Sequence, residues 1–153
     1  MQEFHEYYNN NQKGSDCAIV AALNASYYLH GKRLIKPGTK EYDKVLKRTG
    51  CVAGSAISPE KCYKRLKIRV NNIYKTLYDV NFKDLPLEIT LWNAHYGYHS
   101  ALAINYSKKD EAIQILNFKK ETTTEGWIFK QNLAYYVNDL NRYWVARSFE
   151  GVK

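Results

Sequence analysis

The chain has 153 residues, of which 45% are hydrophobic, and a formal net charge of +8 from 23 Lys+Arg against 15 Asp+Glu. That length is expected to form one domain over residues 1–153 with a core that needs no staples. Three cysteines argue against a disulfide framework, the polar start Met1-Gln2-Glu3-Phe4 is not a signal peptide, and no apolar run approaches the ~20 residues that span a bilayer, so a cytoplasmic protein that is not in a membrane is expected.

Residues 1–16 are polar and read as extended or loop. Residues 17–30 read as the first helix. Ala18, Ala21, Ala22, Leu23 and Ala25 give it small apolar faces suited to the centre of a domain, with Ser15 or Asp16 as N-cap and Gly31 as stop. Glu41 to Arg48 fits a second helix ended by Gly50. Ser58-Pro59 starts a third, with Pro59 at the first helical position, running to about Leu66. Ile68 to Ile73 reads as a strand. Leu87 to Trp92 alternates and reads as another. Ser100–Tyr106 and Ala112–Phe118 form a hairpin across Ser107–Glu111. Glu121 to Glu125 is loop, Phe129 to Leu140 a helix, and Tyr143 to Phe149 a closing strand. Helices first and a mostly antiparallel sheet after them give an α+β class.

The positive charge is spread along the chain, with Lys61, Lys64, Arg65, Lys67 and Arg69 the densest group. Its plain meaning is a solvated surface; its sharper one is an acidic partner. Zinc-finger spacing and glycine–aromatic RNA-binding motifs are absent, so nucleic acid is not the expected partner. No spacing recommends a metal site, and no cofactor is implied.

The chemistry concentrates at Gln12-Lys13-Gly14-Ser15-Asp16-Cys17, which runs straight into the apolar helix. A thiol at a helix N-terminus sits among unpaired N–H groups and the positive dipole end. Both favour the thiolate, which is the nucleophile, and the same N–H groups can hold an oxyanion. Gln12 could add one more donor. The commoner fate of a lone cysteine is a small core residue. Gln12, Gly14 and the available partners favour the nucleophile, whereas Cys51 and Cys62 read as structural. A base is needed. His5 is in the N-terminal segment, and His30, 13 residues along the helix, lies about 20 Å from the sulfur. His99 opens an apolar strand and is favoured; His95, in the connection before it, is the runner-up. If the hairpin is tight and centred near 108.5, Ser100 pairs with Asn117, so Asn117 falls beside His99 and can orient the ring. A one-residue slip would change the face. The plain alternatives are a strand-end histidine and an asparagine that merely ends its strand.

Gln12, Asp16-Cys17 at a small-residue helix, Gly97-Tyr98-His99 opening a strand and Asn117-Phe118 ending the next resemble the papain-like cysteine peptidases. The nearer likeness is to their C39-like branch, the bacteriocin-processing peptidases and their free-standing relatives. Spacings of 82 residues from Cys17 to His99 and 18 from His99 to Asn117 add to the likeness, which covers nearly the whole chain in element order. The chain departs from that branch in Ala18, where Gly is usual, and in Asn117, where Asp is usual and papain itself has Asn. The resemblance implies a papain-like fold and a peptide or protein substrate. In it Cys17 would be the nucleophile, His99 the base, Asn117 the orienting group and Gln12 an oxyanion donor, acting through an acyl-enzyme. A catalytically idle papain-like scaffold acting as a basic protein- or nucleic-acid-binding module is the alternative.

Overall fold

A computed structural model describes residues 17–31, 35, 38–51, 58–75, 80–93, 97–118, 126–134 and 141–150. Three helices come first: α1 (Cys17–His30), α2 (Lys40–Thr49) and α3 (Pro59–Arg65). Helix α1 is apolar on nearly all sides, and Ala18 through Ala25 are all buried. An all-round apolar helix must be covered from all sides, which places α1 centrally. Gly31 ends it with φ 62°, its N–H bonding to Tyr27 O at 2.9 Å. Helix α2 is amphipathic and buries Tyr42, Val45 and Thr49. The Thr39 hydroxyl caps it by accepting from the Tyr42 N–H at 3.2 Å, and Gly50 closes it at φ 79°. Ser58 and Pro59 start α3 as the sequence indicates.

The strands are β1 (Val70–Tyr74), β2 (Leu87–Asn93), β3 (Gly97–Ser107), β4 (Ala112–Leu116), β5 (Trp127–Phe129) and β6 (Asn141–Phe149), with a short α4 (Lys130–Ala134) after β5. They form one sheet in the order β1-β6-β2-β3-β4-β5, every pairing antiparallel. The α+β class is therefore the observed one. The sheet differs in detail from the sequence reading. Residues 127–129 are a strand, because Ala112–Gln114 offers them an edge to pair with, and the helix begins only at Lys130. The closing strand enters the middle of the sheet, between β1 and β2, a long-range choice that local pattern does not encode. The expected loop at Glu121–Glu125 and helix residues 135–140 lie outside the described residues.

Strand alternation divides the core in two. On one face Leu102, Ile104, Leu116 and Phe149 pack with Ile19 and Ala22 of α1, Tyr42 of α2, and Cys62 and Tyr63 of α3. On the other, Leu87, Ile89, Leu91, Ala101, Ala103, Ile113, Ile115 and Ala146 pack with Phe118, Ile128 and Leu133. Tyr74, Phe82 and Tyr106 border this second core, with the Phe82 and Tyr106 rings stacked 4.6 Å apart.

Candidate active site

Cys17 is the first residue of α1 and is partly exposed. Next to it, the Ala18 carbonyl accepts a weak bond from the Cys62 thiol at 3.7 Å. Cys62 is fully buried, and burial pushes its thiol up to about 12, with Cys51, Glu88 and Cys17 adding to the rise. Cys62 is thus an inert core thiol, and Cys51, also buried, shares its core. Gln12, the candidate N-caps Ser15 and Asp16, and His95 lie outside the described residues.

His99 is the third residue of β3, inside the strand instead of ahead of it, and pairs with Leu91 of β2. Its Nε2 lies 2.5 Å from the Asn117 main-chain carbonyl oxygen. A carbonyl only accepts, so Nε2 carries the proton and the basic lone pair of the neutral ring is on Nδ1. Burial lowers the imidazole below its usual range, and the Asn117 carbonyl partly offsets that. His99 therefore favours the neutral form that a general base needs. Phe118 flanks it, ring centroids 6.4 Å apart.

The hairpin brings His99 and Asn117 together, but by a different register from the expected one. Ser107 pairs with Ala112, so four residues form the turn and its centre moves by one residue. A bulge at Ile104 then shifts the ladder, and Leu102 pairs with Leu116. Continuing that pairing sets Ala101, not Ser100, opposite Asn117. Asn117 follows the last residue of β4, at φ 62° and buried, and its main-chain carbonyl meets the ring. The ring thus meets the backbone of Asn117, whereas the sequence reading looks to its side-chain amide.

Parity also places the groups. His99 shares its side of the sheet with Leu91, Ala101 and Phe118 in the second core. The β3 residues that share a core with α1 are Leu102 and Ile104. The body of α1 and the His99 ring thus belong to opposite faces of the sheet.

A polar cluster that the sequence reading missed lies on the helical face. Arg147 of β6 donates through Nη1 to both Glu88 carboxylate oxygens at 2.9 Å and to the Thr90 hydroxyl at 3.0 Å. Its Nη2 pairs with Glu60 at the start of α3. Thr90 also bonds Glu88 and lies 3.3 Å from the Ser100 hydroxyl. Glu88 is 0% and Arg147 2% exposed. Burial pushes the Glu88 carboxyl up to about 7, and the guanidinium holds it from rising further. Glu88 and Thr90 occupy the polar positions of an alternating strand, which a sequence reader sends to water. The findable signal was that helices cover this face as well.

Among the described residues no helix is long and apolar enough to cross a membrane, and no group of three or more His, Cys, Asp or Glu side chains could hold a metal ion. No protein-family model matches the chain, and no curated protein matches it in sequence.

Proposed function

We propose that this chain is a thiol-dependent hydrolase of the papain-like type, most simply a cysteine peptidase. The observation that carries the reading is the short bond from His99 Nε2 to the Asn117 carbonyl, which leaves Nδ1 as the base in a ring disposed to be neutral. Cys17, partly exposed at the first turn of a buried helix, supports it. In the reaction, His99 takes the thiol proton while sulfur attacks the substrate carbonyl. The oxyanion collapses and expels the amine, which leaves with the proton from the imidazolium. Water, deprotonated by the same ring, then cleaves the thioester to give the acid and restore the thiol. Gln12 and the N–H groups at the start of α1 would hold the oxyanion.

The test is alkylation by iodoacetamide followed by peptide mass mapping, beside cleavage of a mixed fluorogenic peptide library. Cys17 is expected to label while Cys51 and Cys62 stay protected. Cys17→Ala should abolish cleavage, and His99→Ala should slow it by roughly 10²–10⁴-fold.

One observation favours a second reading, an idle scaffold that binds a partner through its basic surface: the His99 ring lies on the sheet face opposite the body of α1. That reading predicts that Cys17 labels no faster than the thiol of an unstructured peptide, and that His99→Ala leaves the labelling rate unchanged.

A further inference from the structure

A groove of about 590 Å³ opens between α3, the turn that follows it and β1, with the buried Arg147 on its lining. Its charge is lopsided. Lys64, Lys67 and Arg69 line it and are exposed, whereas Glu60, its one acidic lining residue, is paired with Arg147. Arg147 carries one positive charge against the two carboxyl groups of Glu60 and Glu88, so at most one negative charge is left over and the three outer cations set the sign of the rim. Arg69 has only a loose 3.9 Å approach to the exposed Glu150.

Lys67 adds an independent sign. It follows the end of α3 at φ 59°, in the left-handed conformation that closes the helix, with Ile68 N–H bonded to Tyr63 O at 2.9 Å. Glycine meets that geometry without strain, and a lysine does not. A strained backbone that keeps a charged side chain at a groove mouth points to a use for the charge.

The other half of the groove is apolar and belongs to an edge. Val70 and Ile73 of β1 line it, and Ile73 is 55% exposed. Strand β1 ends the sheet, and no described strand pairs with its outer side. A sheet edge offers main-chain donors and acceptors to an extended chain.

We infer that this groove docks an extended acidic peptide, whose backbone adds to the outer edge of β1 while its carboxylates meet Lys64, Lys67 and Arg69 and an aliphatic side chain covers Ile73. The inference does not rest on the proposed thiol chemistry. It commits to a peptide because the cations sit beside a strand edge and an apolar wall, and phosphate backbones need neither.

The experiment is fluorescence anisotropy on the full chain with three labelled probes of equal length: a peptide alternating Glu and Val, the same peptide with Lys for Glu, and an oligo-dT strand. The Glu–Val peptide should bind, and more weakly as salt rises. Lys64→Glu with Lys67→Glu should weaken it by about tenfold or more, as rim charge reversal does. Lys67→Gly, which relaxes the backbone, should raise the melting temperature or leave it unchanged and still weaken binding. Ile73→Ser should weaken binding without altering its salt dependence. Equal binding of the Lys–Val peptide, tighter binding of oligo-dT through the same lysines, no peptide binding, or indifference to all these variants would each overturn the assignment.

Discussion

The two faces of the sheet solve the same burial problem differently. The face holding Ile89, Ala101, Ile113 and Ile115 is lined by apolar residues along β2, β3 and β4. The helical face buries an ion pair in the middle of its apolar residues, with Glu88 and Arg147 joined by two bonds of 2.9 Å. The first is stable because removing apolar surface from water is favourable wherever it happens. The second is stable only while both partners are present, since the burial of each is offset by its bonds to the other and to Thr90 and Glu60. One face tolerates change in proportion to volume, and the other is all-or-none.

Breaking the pair should show the largest effect. Arg147→Ala leaves a carboxylate buried alone and is expected to cost about 3–5 kcal/mol, read from urea unfolding. Replacing both partners, with Glu88→Leu and Arg147→Met, should recover most of that loss. If the double variant is as unstable as the single one, the faces do not differ as described. On the apolar face, Ile113→Ala should cost about 2–5 kcal/mol, and no second substitution at a single partner should repair it.

The faces should also answer pH in opposite directions. Folding raises the Glu88 value to about 7, so its contribution is full below the unfolded carboxyl value of 4.5 and is lost as pH rises through 7. Folding depresses the His99 value, so its contribution is present above the ordinary imidazole value of 6.5 and is lost as pH falls through the lowered one. Melting temperatures measured from pH 4 to 9 should flatten on the alkaline side in Glu88→Gln and on the acid side in His99→Gln. The smallest effect concerns neither face: Thr39→Ala removes the cap of α2 and should cost about 1 kcal/mol, a useful scale for the others.

Much of this was legible locally. Helices α1 and α2 end at Gly31 and Gly50, and α3 begins at Pro59, as the sequence indicates, because caps and stops act within a turn of chain. The 97–107 and 112–116 hairpin was legible as a pair but not in register, since the length of its turn and the bulge at Ile104 are settled by packing on both faces. Strand β5 was missed because three residues carry too little pattern without the partner edge.

At the site, the sequence by itself determined a thiol at the mouth of an apolar helix and an imidazole in the hairpin close to Asn117. Those follow from short-range preferences and from a turn that folds two neighbouring strands together. Only the tertiary structure decided that the ring is held by a main-chain carbonyl, that it shares a face with Phe118 instead of with α1, and that Glu88 and Arg147 are sealed inside. Strand parity and the covering of both faces are properties of the assembled layers: a residue's number tells which side of its strand it takes, but not what the rest of the chain lays against that side.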